Sequence, residues 1–499
     1  MSKPKVLFLT SPEAGQANVQ LSVISKIQKL YGEDTLDIYL GSFEQLRNRC
    51  PKTVTFKSIQ GKGMIQHFLE KYDDSSKLNS GENPQFYKHL TTPTGLYGSI
   101  KLALNFTSIF HSEKPEEYVQ YAKNVESLLI ELEPDFIICD TIFECGRDAI
   151  LKLGLNKKCI YLSPNTFKDL APAQQGLGVF NWPSSGSGYP YPLPWYLKPF
   201  NIFAIIFSMI WLLKYDKRHI EFNKYRNQAG FSGRLPLFQK KDELGSTFLC
   251  VSNEKVEYPG KIPEWLICCG PILSSPTKDN DKNIEEIDLD LYKWLIKQPT
   301  ILIVLGTHYL ISKDQANILY KSLENLLKKR SDLQVLWKLK KFGQFNLPSE
   351  ELSEAEKNDQ IKIVDWLKPD PLAILNSGQI VAFVNHGGSN SYHEGLATGI
   401  PQILLPAWID CYDFAGRVGY FGNGVWGNKS AAPEISEKEF TKSLFQVVGE
   451  TPKDPNVLKI KARCRELADI VTENGTREGS TVAAERIWQE LQASLAKNK

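Results

Sequence analysis

The densest set of chemically capable residues in this chain of 499 is the run Asn385-His-Gly-Gly-Ser-Asn-Ser-Tyr-His-Glu-Gly-Leu-Ala-Thr-Gly-Ile-Pro. It follows a strand pattern and opens a helix, so Gly387 and Gly388 make the tight turn between them. The backbone N–H groups of Ser389 to Ser391 are then the unpaired donors of a helix N-terminus. Such a terminus binds phosphate through those donors and through the helix dipole. His386, Asn390 and Ser391 add side-chain donors beside it. Glu394, one turn beyond Ser391, has the reach to accept from a pair of hydroxyls such as those of ribose. His393 is given no role and is expected on the helix surface. Gly399-Ile-Pro401 ends the helix and feeds the next strand.

The elements that must position this run are two series of alternating strands and helices. Lys5-Val-Leu-Phe-Leu-Thr is an apolar strand, followed by a helical pattern from Ala17 to Leu30 and a strand at Leu36-Asp-Ile-Tyr-Leu. Asp135-Phe-Ile-Ile-Cys ends at Asp140, leads into a helix through Leu153, and precedes the strand Cys159-Ile-Tyr-Leu. Winding resumes at Thr300-Ile-Leu-Ile-Val-Leu and continues through Gln334, Ile361, Gln379 and Gln402. Strand, helix, strand at this spacing means parallel sheets with right-handed crossovers. The expected fold class is α/β with two doubly wound domains facing each other across a cleft. The boundaries are 1–270 for an acceptor-binding domain with an apolar insertion at 180–215, 271–288 for a linker, 289–475 for a donor-binding domain, and 476–499 for a terminal helix that returns toward the first domain. Ligands of such sheets sit at the carboxyl ends of the strands.

Composition narrows the partners. A formal charge of +2, with 23% charged residues, offers no basic footprint for nucleic acid. Nine cysteines without a CxxC pair read as neither a disulfide framework nor a zinc site. Asp279-Asn-Asp281 has the form of a metal clamp, but in a charged linker it reads as solvated, and no metal is expected. With a strand starting so near Met1 the chain is expected to be cytoplasmic, with peripheral membrane contact left open. That opening comes from the apolar stretch Phe200 to Leu213, flanked by Tyr189-Pro-Tyr-Pro-Leu-Pro-Trp and by Lys214, Lys217 and Arg218. At about 14 residues it falls short of the roughly 20 a span requires. It reads first as a buried or acceptor-pocket helix, and second as a surface-lying membrane anchor.

The stretch from Trp366 to Asp413 resembles the donor-binding signature of the family 1 UDP-dependent glycosyltransferases, which have the two-domain GT-B fold. The residues that carry the resemblance are Trp366, Pro369, Phe383-Val-Asn-His-Gly-Gly-Ser-Asn-Ser, Glu394, Gly399-Ile-Pro401, Pro406 and Asp410. Weaker similarity includes Leu305-Gly-Thr307 and Asp135 to Asp140. The resemblance implies that Trp366 stacks on uracil, and that His386, Gly388, Asn390, Ser391 and Thr307 hold the diphosphate. It also implies that Glu394 takes the ribose and Asp410 the hydroxyls of the transferred sugar. The implied activity is inverting transfer of a sugar, with glucose first, from a UDP-sugar to a hydroxyl of a hydrophobic small molecule: a phenolic, a sterol or a lipid-like acceptor.

Two positions depart from the family. Cys411 stands where many relatives with glucose donors carry Gln. Gln16, in Ala14-Gly-Gln-Ala-Asn, stands where the family's general base is a His, although Asp140 matches the Asp that orients that base. An amide does not accept the proton, and losing a general base costs about 10²- to 10⁴-fold. The remaining catalytic candidates are Asp140 and Glu13, with Gln16 beside them. The alternatives to transfer are a UDP-sugar epimerase on the same scaffold and a catalytically silent UDP-sugar-binding protein.

Overall fold

Lys5–Leu9 (β1) sits at the centre of the first sheet, and four of its five residues are buried. A continuous apolar run of this kind suits a strand covered on both faces, as parallel sheets require. A computed structural model describes residues 3–72, 90–239, 241, 244–273, 283–306, 309–347, 358–473 and 475–497. In it β1 is joined by Asp37–Phe43 (β2), Thr55–Ile59 (β3), Phe136–Asp140 (β4), Cys159–Ser163 (β5), Thr247–Cys250 (β6) and Leu266–Cys268 (β7). The order is β3-β2-β1-β4-β5-β6-β7, every neighbouring pair parallel. The second sheet holds Thr300–Val304 (β8), Gln334–Lys338 (β9), Ile361–Val364 (β10), Ile380–Asn385 (β11), Gln402–Leu404 (β12) and Gly424–Trp426 (β13). Its order is β10-β9-β8-β11-β12-β13, again all parallel.

Both sheets therefore reverse direction of winding beside their first strand. The crevices lie at the carboxyl ends of β1 and β4 in one sheet and of β8 and β11 in the other. Each sheet has apolar cores on its two faces. The second sheet's packing begins at Ile284, a few residues before the expected domain start, because the short helix Ile284–Ile287 already contributes a buried side chain. Asp279 and Asp281 lie outside the described residues, as does half of the expected linker. The last helix, Gly479–Lys497, packs along the first, Ala14–Tyr31, with Trp488 stacked on Tyr31 at 4.0 Å.

The apolar stretch after residue 198 is not the buried helix that was its first reading. Lys198–Ile210 is helical and continues through a π-helical turn, Trp211–Tyr215. Only Asn201 and Ala204 of Lys198–Ile210 are buried. Phe200, Phe203, Ile206, Met209 and Ile210 face solvent. A 13-residue helix with so many apolar side chains covers its neighbours with one narrow flank and leaves the rest outside.

Candidate functional site

β11 ends at Asn385, whose side chain fixes the turn that follows. Its Oδ1 accepts from Gly387 N at 2.8 Å, and its Nδ2 donates to Gln402 Oε1 at 3.0 Å. Gly387 has φ +80, a left-handed conformation that favours glycine. Gly388 then caps the helix Ser389–Ala397. The imidazole of His386 is walled by two glycines. A Cβ on Gly306 would come 2.7 Å from His386 Cε1, and one on Gly388 2.4 Å from Nε2. The Trp408 ring lies 6.0 Å away.

Asn390 and Ser391 are half-buried in the first helical turn, where N–H groups lack i−4 carbonyls. Glu394 is mostly buried one turn further on. His393 is not on the helix surface. It is 5% exposed against Tyr392 and Phe414, and its Nδ1 is 2.8 Å from the Ser389 carbonyl. Burial pushes its pKa down to about 4, so this ring is a neutral core residue.

Trp366 follows β10 with 64% of its surface exposed. Lys338 Nζ, from the end of β9, stands 4.0 Å over the indole ring. Asp410 precedes the helix Cys411–Phe421, and its carboxyl is pushed up to about 7 by burial and then by the charge of Asp169. Cys411 is buried, and desolvation holds its thiol well above the usual range. Thr307 lies outside the described residues.

The other half of the cleft is built on β1 and β4. Asp140, the last residue of β4, is fully buried. Its Oδ1 accepts from Ile142 N at 3.0 Å, and Thr10 Oγ1 donates to its Oδ2 at 3.3 Å. Burial outweighs these bonds and pushes the carboxyl up to about 7, with a contribution from Glu13. Glu13 is the residue before the first helix, and its Oε1 accepts from Ile65 N at 3.2 Å. Gln16 lies in the first turn of that helix, its amide oxygen buried without a hydrogen-bond partner.

His111 does not supply the absent imidazole. It is buried between Glu113 Oε1 at 3.1 Å and Glu144 Oε1 at 3.0 Å. Burial alone would lower its pKa, but the two carboxylates raise it to about 10. It is a buried cation with no proton-accepting capacity near neutral pH.

The two halves meet where Ser389 and Asp413 of the recognised signature touch residues that lie outside it. Ser389 Oγ donates to the carbonyl of Pro164, just past β5, at 2.7 Å. Lys168, in the short helix Phe167–Leu170, reaches Asp413 Oδ1 at 2.5 Å. Arg417 holds the other oxygen of Asp413 at 3.1 Å and also pairs with Glu257. Lys168 thus borders Asp413, and Asp169 lies near enough to Asp410 to raise it, both from the first sheet's side. Nothing in their spacing marks them in the sequence, because the contact spans 245 residues.

Comparison with known proteins shows the family and the fold. Residues 347–468 match the family model described as erythromycin biosynthesis protein CIII-like, C-terminal domain. Glycosyltransferase sdnJ of Sordaria araneosa is 32% identical over 521 aligned positions, covering 95% of this chain and 96% of the relative. A UDP-glycosyltransferase of Talaromyces amestolkiae is 23% identical over 76% of this chain and 69% of its own length. Among solved structures, Phytolacca americana UGT2 complexed with UDP-2-fluoro-glucose and pterostilbene superposes with a TM-score of 0.60. That likeness covers 98% of this chain and 99% of the other at 15% identity, and it speaks to the fold alone. With the relative from Sordaria araneosa matched along nearly its whole length, the chain belongs to the family 1 UDP-dependent glycosyltransferases and is an enzyme of the GT-B fold.

Proposed function

We propose that the enzyme transfers glucose, with inversion, from UDP-glucose to a hydroxyl of an apolar small molecule, and that Asp140 is the general base. The acceptor oxygen attacks the anomeric carbon, the bond to the diphosphate breaks, and the acceptor proton passes to Asp140. The observation that carries this reading is the placement of the Asp140 carboxyl, buried at the carboxyl end of β4 and held by Ile142 N and Thr10 Oγ1, where burial pushes it up to about 7. A base poised near the working pH combines the required ionisation with a usable driving force. Glu13 is held by the Ile65 N–H and serves here to raise Asp140. The buried amide of Gln16 offers a hydrogen bond to the acceptor.

On the donor side, the start of the helix Ser389–Ala397 and His386 carry the charge of the leaving diphosphate, and no metal is assigned to the step. Trp366 takes the uracil on its open face, Glu394 the ribose, and Asp410 the sugar hydroxyls. Cys411 is buried and leaves that last task to Asp410. Stacking of a base on an aromatic ring is worth ~1–3 kcal/mol. Trp366→Ala should therefore raise KM for the donor roughly 5- to 150-fold with kcat nearly unchanged. An equal loss in kcat at unchanged KM would remove Trp366 from the ground-state contacts.

Acceptor acidity tests the base. A phenol, with a pKa near 10, gives up its proton far more readily than an aliphatic alcohol. Phenols should outpace alcohols of similar shape, and Gln16→His should raise the rate on alcohols more than on phenols. Steady-state rates on one matched pair read both effects, and equal rates on the two would argue against a weakened base. Gln16 also favours a second reading, a silent UDP-sugar-binding protein. Incubation with UDP-glucose, with and without a mixed phenolic and sterol panel, separates the cases. UDP formed only with acceptor supports transfer, UDP formed without acceptor supports an epimerase, and no UDP supports silence.

A further inference from the structure

We infer that the face formed by residues 195–220 is a membrane-docking surface, which lies in the plane of an anionic lipid surface. Phe200, Ile202, Phe203, Ile206, Met209 and Ile210 project from Lys198–Ile210 into solvent, far more than the scattered apolar residues of an ordinary surface. The helix and its π-helical turn reach 18 residues of membrane-like hydropathy, of which 11% are buried. Along one edge Phe203, Phe207, Trp211 and Tyr215 stack at successive four-residue steps, with ring centroids 6.0, 6.1 and 6.5 Å apart.

The ends of this element carry the residues that a lipid–water boundary favours. Trp195, 82% exposed, and Tyr196 stand before it, and Tyr215, 60% exposed, closes it. Lys198, Lys214, Lys217 and Lys224 are exposed around it. No Asp or Glu occurs between Asp169 and Asp216, and Asp216 is buried as the cap of the next helix. Glu221 is the exposed carboxylate nearest in sequence. Apolar centre, aromatic ends and basic rim complement a negatively charged bilayer, and the rim disfavours a second copy of the same positive face.

The element does not span. Asn201 is fully buried, donating to the carbonyls of Phe180 and Trp182 and accepting from Ser184 N at 2.7 Å. Those three bonds and Ala204 staple one flank to the first domain, so only the opposite flank is available to lipid. Lys198–Ile210 packs on the helix Gly95–Phe110, whose Leu102 and Ile109 join the second sheet's core. The docking face is therefore one helix removed from the cleft. Resting on the proposed apolar acceptor, docking here brings the cleft to the phase in which that acceptor dissolves.

The test is flotation of the full-length protein with vesicles, without donor or acceptor, so its outcome is independent of the proposed reaction. The probes are phosphatidylcholine vesicles with and without about one third phosphatidylserine. The protein should float with the anionic vesicles, less with neutral ones, and be released by alkaline carbonate. Phe203→Ser/Ile206→Ser/Met209→Ser should lower the bound share about tenfold or more, with an unchanged melting transition and unchanged kcat on a water-soluble phenol. Lys198→Glu/Lys214→Glu, which spares the apolar face, should weaken binding to the anionic vesicles alone. No flotation, equal flotation of wild type and triple variant, or carbonate resistance would each overturn the inference. A concentration-dependent dimer abolished by the triple variant, with no vesicle binding, would assign the face to a second copy instead.

Discussion

Asp140→Asn is expected to lower kcat by about 10²- to 10⁴-fold while making the folded protein more stable at pH 8. The two effects have one cause. Burial raises the Asp140 carboxyl from the ordinary 3.8 to about 7, so the folded chain keeps a proton that the unfolded chain has released between those values. Stability contributed by this group is thus present below about pH 4 and is lost as pH rises through about 7. An amide has no charge to desolvate; its oxygen keeps the Ile142 N–H, and its NH2 donates to the Thr10 hydroxyl, whose proton turns to the Ser11 carbonyl, so the variant should melt higher at pH 8 and gain little at pH 4. Activity runs the other way, because only the carboxylate accepts a proton. Wild-type turnover of an alcohol should rise through about pH 7 and level off, and the variant should lack that inflection. With a phenol the rate should keep rising above pH 8, as the acceptor ionises by itself. A variant that keeps its activity and its inflection would move the base to Glu13.

The fold was legible because both sheets are built from apolar runs such as Lys5–Leu9 and Thr300–Val304, with no polar face to blur them. The bounds of the first helix followed within a few residues, Ala17 to Leu30 being expected where Ala14–Tyr31 is found. The strand, turn and helix from Ile380 to Ala397 were also legible, because local spacing sets the geometry of such a unit. The Lys168–Asp413–Arg417 contact was hidden for the opposite reason. It joins segments that only the packing of two sheets brings together, and no local rule reports on it. The surface position of Lys198–Ile210 came second among the readings of the sequence because periodicity separates faces but does not say what covers them; a helix this apolar is usually interior. His393 was misplaced in the opposite direction. Its ring fits between Tyr392 and Phe414, which makes it one of the residues packed under the turn at Gly387 and Gly388.

Because that turn holds His386 between two glycines, the donor cradle admits a test that needs no change to the imidazole. His386→Ala should lower kcat by 10²-fold or more, the usual effect of losing one donor to a developing charge. Gly388→Ala should approach the same loss, since its Cβ would stand 2.4 Å from His386 Nε2 and push the ring off its position. The backbone of Gly388 has φ −68 and ψ 148, which alanine adopts freely, so the substitution brings no backbone strain of its own. Gly306→Ala meets the same imidazole from the other side at 2.7 Å, but adds the strain of a φ of +84. It should cost stability as well as rate, as any side chain does in that region. The comparison isolates the role of ring position. In Gly388→Ala the melting transition should stay near wild type while kcat falls, and combining it with His386→Ala should add little, because both remove one interaction. Full activity in Gly388→Ala, or additive losses in the double variant, would mean that the ring does not meet the diphosphate and that the helix N-terminus carries its charge without it.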